Sequence, residues 1–83
     1  MIDGAVQQGI PKETALQLVC QTLEGSAGML MDSGNTPEEL IQMVSSPGGT
    51  TLKALDVFYR EGFEKTVKDA MLACTERAEE LGK

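Results

Sequence analysis

Short breaks bearing glycine or proline, at Gly9-Ile10-Pro11, Ser33-Gly34, Ser46-Pro47-Gly48-Gly49-Thr50-Thr51 and Gly62, divide this chain into segments whose apolar residues recur every three or four positions. Glycine supplies the left-handed backbone that closes a helix, and proline tolerates the first helical position, where its missing N–H costs nothing. A chain punctuated in this way is expected to be all-α, a helical bundle. Residues 1–8 are expected to form a short helix, or the remnant of one, through Ile2, Ala5 and Val6. Pro11 then suits the first turn of a long helix, with Leu16, Val19, Cys20, Leu23, Ala27, Leu30 and Met31 on one stripe. That stripe predicts a central core helix. In its middle, Gly25-Ser26-Ala27-Gly28 would let another helix approach closely, the preferred reading, or leave a notch facing a ligand.

Thr36-Pro37-Glu38-Glu39 has the residue order of a capping box, a hydroxyl at the cap, proline next and glutamate third. A short helix through Leu40, Ile41 and Val44 follows it, then another through Leu52, Leu55, Phe58 and Tyr59 that runs to Gly62. The last segment carries Phe63, Val67, Ala70, Met71, Cys74, Ala78 and Leu81 on one stripe. It predicts a second main packing helix, too short in heptads for a free-standing coiled coil.

The run from Ser46 to Thr51 holds one proline, two glycines and three hydroxyls in six residues. Proline fixes one backbone angle and paired glycines permit close approach, so backbone N–H groups and hydroxyls can be turned toward a small anion. A tight turn in which Thr50 or Thr51 caps the next helix explains the same residues. Both readings stand on the residues alone.

Length and composition narrow the rest. Eighty-three residues make one domain, close to the size at which a monomeric core becomes marginal, so burial against a partner is expected. Thirteen acidic against seven basic residues, a net charge of −6, disfavour nucleic acid and anionic membrane surfaces while leaving room for a small anion at a local site. No interval has the apolar length to cross a bilayer and the start lacks a secretion signal, so a cytoplasmic protein is expected. Cys20 and Cys74 sit among apolar helical positions and predict buried free thiols. With no histidine and no local carboxylate cluster, a structural zinc site is not expected. Met29, Met31, Met43 and Met71 read as core filling. Tyr59 reads as a packed ring with a wet oxygen, and Arg77 as one half of a surface ion pair.

Taken together, Gly9-Ile10-Pro11, the small patch Gly25–Gly28, Ser46-Pro47-Gly48-Gly49-Thr50-Thr51, Gly62-Phe63 and the ending Arg77-Ala78-Glu79-Glu80-Leu81-Gly82 resemble the C-terminal dimerisation domain of pyrroline-5-carboxylate reductase over nearly the whole chain. The resemblance implies a fold similar to the C-terminal domain of 6-phosphogluconate dehydrogenase. It also implies a homodimer, or a higher oligomer, and the reduction of L-1-pyrroline-5-carboxylate to L-proline with NADPH or NADH in the complete enzyme. By that resemblance, Ser46 and the backbone of Gly48, Gly49, Thr50 and Thr51 hold the carboxylate of the substrate or of proline. Thr51 is the catalytic candidate, a hydroxyl near the ring nitrogen, and either it or an ordered water donates the proton.

Cofactor binding falls outside this expectation, because the chain has no strand-like run leading into Gly-x-Gly-x-x-Gly. The resemblance therefore implies that the 83 residues lack an N-terminal Rossmann domain and the start of the first family helix, bind no cofactor alone and are inactive alone. Asn35-Thr36 replaces a lysine-histidine pair of many relatives. Two other readings compete: a stand-alone helical assembly module, and a regulatory module that binds proline.

Overall fold

The computed structural model describes residues 1–83 as five α-helices and no strands: α1 (Ile2–Gln7), α2 (Lys12–Asp32), α3 (Pro37–Val44), α4 (Thr50–Arg60) and α5 (Phe63–Leu81). The breaks at Gly9-Ile10-Pro11, Ser33-Gly34 and Gly62 fall between helices, and the Ser46–Thr51 run ends inside α4, whose first two residues are Thr50 and Thr51. The chain divides into two compact units, Met1–Ile41 and Gln42–Lys83.

In the first unit α1 packs on α2. The link is a Schellman closure: Ile10 N–H donates to the Ala5 carbonyl (3.2 Å), Gly9 N–H donates to the Val6 carbonyl (3.0 Å), and Gly9 sits at φ +98°. Pro11 stands one position earlier than expected. Its ψ of 143° is extended and its carbonyl accepts the Ala15 N–H at 2.8 Å, so proline is the cap and Lys12 opens the helix. The far end of α2 closes with Ser33, followed by Gly34 at φ +77°.

The capping box at α3 forms in full. Glu39 N–H donates to the Thr36 hydroxyl (3.2 Å), and Thr36 N–H donates to the Glu39 carboxylate (3.0 Å). The bond from the Thr36 N–H, then that from its hydroxyl, hold the Glu39 carboxyl below its ordinary value of 4.5.

In the second unit α4 and α5 pack against each other. Gly62, at φ +71°, ends α4 and opens α5: its N–H donates to the Tyr59 carbonyl (3.3 Å) and its carbonyl accepts the Thr66 N–H (3.0 Å). Across that elbow the rings of Phe58 and Phe63 lie 4.8 Å apart, tilted by 43°, within the attractive range for aromatic pairs.

The expectation of a core fails within a single chain. Ala15 is the one buried residue. The stripe that predicts a central core helix is open, with Leu23 56% and Met31 82% exposed. The four methionines expected to fill a core are all exposed, as are Cys20 and Cys74, which were expected to be buried. The small patch meets nothing either, since a side chain added at Gly25 or Gly28 would find no atom within 4 Å. The physical reason is that periodicity marks which side of a helix is apolar without supplying the surface that covers it. Helix α2 also has a second apolar side, because Leu18 and Met29 lie opposite Leu16 and Leu23 at helical spacing. No helix is long and apolar enough to cross a membrane, and no three Cys, Asp or Glu side chains are grouped to hold a metal ion.

Candidate functional site

The glycine-rich run folds as a turn that feeds directly into a helix. Gly49 N–H donates to the Ser46 carbonyl at 2.9 Å, closing Ser46-Pro47-Gly48-Gly49, and Gly48 sits at φ +71°. Proline second and a left-handed glycine third are the pattern of a type II turn, in which only the third residue needs positive φ. Gly48 therefore answers a backbone demand, with open space where its side chain would be.

Gly49 answers a different one. Its φ of −82° suits any residue, but a Cβ there would lie 2.6 Å from Ser46 Oγ and 3.0 Å from the Ser46 carbonyl oxygen. The turn folds its first residue over the fourth, so the serine hydroxyl lies above the start of α4. Gly49 is the cap residue of that helix, and no side chain supplies a capping hydrogen bond. Neither Thr50 nor Thr51 caps it, contrary to the turn-only reading; they are its first and second residues. The turn carries the chain straight into the helix, leaving the threonines one residue too late to cap.

The consequence is a set of open donors. The first N–H groups of a helix have no carbonyl partner within it. The Gly49 N–H is taken by the turn, which leaves those of Thr50, Thr51 and Leu52. Leu52 is the donor that motif reading misses; counting from the helix start, rather than from the motif, finds it. Each of the other four helices carries an acidic residue in its first turn, Asp3, Glu13, Glu38 with Glu39, or Glu64, whereas α4 has none. The partial positive charge at its start is thus not offset by a carboxylate of its own first turn. Gly49 and Thr51 are half-buried, while Ser46, Gly48 and Thr50 are exposed.

The remaining polar candidates lie elsewhere. Tyr59 is exposed near the other end of α4, and Arg77 pairs with Glu80 at 2.9 Å. A shallow cavity of about 390 Å³ at the α4–α5 elbow is lined by Phe58, Tyr59, Phe63, Lys65 and Lys68. It does not include the turn, which stands at the opposite end of α4, about 16 Å away along an eleven-residue helix.

Five helices whose apolar faces stay open, with Ala15 the one buried residue, define a helical assembly domain. The comparisons agree: pyrroline-5-carboxylate reductase dimerisation is the family matched, over residues 1–81, and the chain belongs to it. It is 42% identical over its full length to pyrroline-5-carboxylate reductase of Escherichia coli (strain K12), of which it covers 31%. It is 40% identical over 99% of its length to pyrroline-5-carboxylate reductase 3 of Danio rerio, covering 28% of that protein. Among solved structures, Plasmodium falciparum pyrroline carboxylate reductase with NADP bound superposes with a TM-score of 0.94 at 33% identity, over 99% of this chain and 31% of that one. The Streptococcus pyogenes 1-pyrroline-5-carboxylate reductase gives 0.80 at 40% identity, over 83% of this chain and 27% of that one. The chain thus spans about a third of the length of the relatives it matches.

Proposed function

We propose that this chain is the assembly and substrate-carboxylate-binding domain of an NADPH- or NADH-dependent reductase that converts L-1-pyrroline-5-carboxylate to L-proline. The observation that carries the reading is the start of α4, where a closed turn leaves the N–H groups of Thr50, Thr51 and Leu52 open beside no acidic residue of that turn. A substrate carboxylate is the charge and size this arrangement accepts: charge-assisted hydrogen bonds from fixed amides orient it without any side-chain cation. Ser46 Oγ, folded over Gly49, adds a hydroxyl to the same end.

Thr51 has the catalytic role among these residues. Its hydroxyl donates a proton to the ring nitrogen, directly or through a water, as the C=N bond is reduced. A threonine is too weak an acid to do this by acidity, so its contribution is placement. The nicotinamide cofactor does not fit this chain, which has no strand leading through a glycine-rich turn into a helix. In the reductase the cofactor belongs to a nucleotide-binding domain outside these 83 residues. The apolar faces of α2 and α5 belong against a second copy, giving a homodimer that completes the substrate sites.

Titration of the isotopically labelled chain with L-proline tests the site separately from turnover. The amides of Thr50, Thr51 and Leu52 are expected to shift, and pyrrolidine, which lacks the carboxylate, is expected to leave them in place. Equal responses to both ligands, or none to proline while the chain is assembled, overturn the carboxylate assignment. In the full-length reductase, Thr51→Ala is expected to lower kcat while Thr51→Ser retains most of it, with assembly unchanged in both.

A further inference from the structure

We propose that the elbow between α4 and α5 is a second binding site, for a free α-amino acid with an aromatic side chain. The proposed reductase role makes no use of this cavity, which stands at the opposite end of α4 from the turn. All of its lining residues come from the adjoining ends of two consecutive helices, within the unit Gln42–Lys83. Its volume of about 390 Å³ is at the small end of the range for small-molecule sites, roughly 300–1,000 Å³. One wall is aromatic: the paired rings of Phe58 and Phe63, with Tyr59 beside them, are all exposed.

The charges lining the rest of the cavity decide the class of ligand. Lys65 is taken by Asp69, one helical turn further on. Glu64 and Lys68 have the same spacing, with the acid N-terminal to the base, the order that favours pairing on a helix. They nevertheless form no ion pair, with each other or with any other residue. The cavity therefore offers one uncommitted carboxylate and one uncommitted ammonium. A simple anion would gain Lys68 and be repelled by Glu64, and a simple cation would meet the reverse. A zwitterion satisfies both, its carboxylate accepting from Lys68 Nζ and its ammonium donating to the Glu64 carboxylate. Two further features favour that ammonium. The elbow is the negative end of α4, where the Phe58 carbonyl is left without a helix donor because the Gly62 N–H turns to Tyr59. The faces of the rings also attract a cation. The side chain of the amino acid then lies on the aromatic wall, where an aromatic one fits best. Phe63 belongs to the apolar stripe of α5, but Lys65, Lys68 and Asp69 stand off that stripe at helical spacing. Pairing through the stripe does not require the charged wall to be covered.

The test is titration of the isotopically labelled chain with L-phenylalanine, 3-phenylpropionate and phenethylamine, which share a phenyl ring and differ in the charges they carry. L-Phenylalanine is expected to shift the amides from Gly62 to Asp69 saturably. The two singly charged compounds are each expected to bind there at least about tenfold more weakly, as is L-phenylalanine to Glu64→Gln or Lys68→Met. Both variants should keep the helix signal of the parent and the response of the Thr50, Thr51 and Leu52 amides to L-proline, which separates the elbow from the turn. Equal elbow responses to all three compounds, or no saturable elbow response to L-phenylalanine in the parent chain, overturn the site and leave the proposed reductase role standing. Undiminished binding by both variants overturns the charge pairing, and with it the class of ligand.

Discussion

The two glycines of the turn make opposite demands, and substitution separates them. At Gly48, φ is +71° with open space beyond Cα, so alanine meets no atom but carries the left-handed penalty of an L-residue, about 1–2 kcal/mol. Asparagine tolerates that conformation and should recover most of the loss. At Gly49, φ is −82° and carries no penalty, yet a Cβ would stand 2.6 Å from Ser46 Oγ and 3.0 Å from the Ser46 carbonyl oxygen. Rotation of the serine side chain relieves the first contact. The second is with backbone, and the same carbonyl accepts the Gly49 N–H that closes the turn, so relief must shift the turn against the start of α4. If that shift removes one amide from the carboxylate, the loss is that of a hydrogen bond to a charged group, about 1.5–3 kcal/mol, or roughly 10- to 100-fold in substrate KM. Steady-state reduction of L-1-pyrroline-5-carboxylate by the full-length reductase, with melting of the same variants, reads both effects. Gly49→Ala should raise KM by that factor with little change in melting. Gly48→Ala should lower melting, and Gly48→Asn should behave nearly as the parent. An unchanged KM for Gly49→Ala, or equal damage from asparagine and alanine at 48, would refute the reasoning.

Thr36→Ala removes the cap of α3 and should cost about 1 kcal/mol in chemical denaturation at neutral pH; no loss would mean that the reciprocal bonds seen at Thr36 and Glu39 contribute nothing. Because the folded Glu39 carboxyl lies below 4.5, the unfolded chain binds its proton more readily. The stabilisation is therefore complete above about pH 4.5 and is lost as pH falls through the lower folded value. Thr36→Ala should flatten that acid dependence, and an identical acid profile in the variant would count against it. Each chain carries a charge of −6, so added salt should raise the melting midpoint of the pair by screening repulsion; a midpoint lowered by moderate salt would show that ion pairs hold the copies together instead. Cys20, on the stripe with Leu16 and Leu23, should react with a thiol reagent rapidly in dilute chain and slowly in concentrated chain. Equal rates would place it outside the interface.

Features closed within a few residues were legible in the sequence, and features that need a distant surface were not. The box at Thr36–Glu39, the closure at Gly9-Ile10 and the turn at Ser46–Gly49 are each hydrogen-bonded within their own run. Their residue types carry the information because no other part of the chain takes part. The exposed state of Cys20, Cys74, Met31 and Met71 is of the other kind. An apolar stripe states that a face will be covered, and an 83-residue chain with Ala15 as its only buried residue leaves the covering to something else. The second apolar side of α2, at Leu18 and Met29, is the sharpest instance, since a reading that seeks one stripe per helix assigns the remainder to solvent.

The same division runs through the candidate site. The half proposed to bind a carboxylate is local: the turn and the first residues of α4 shape it from consecutive positions, and it differs from the other helix starts by lacking an acid. Its proposed other half, the surface that would hold the ring and present the reducing group, is not built by that run of consecutive residues. The cavity at the α4–α5 elbow lies at the far end of α4 and excludes the turn. On the proposed reading, in which a second copy walls this locally shaped turn, anion recognition separates from ring recognition. Loss of the partner should abolish discrimination between proline and a plain carboxylate before it abolishes the response of the Thr50–Leu52 amides. Acetate and L-proline titrated against a weakly associating variant such as Leu23→Asp make the comparison: similar shifts from both ligands fit a site completed by the second copy, whereas a retained preference for proline would place the ring-binding surface within a single chain.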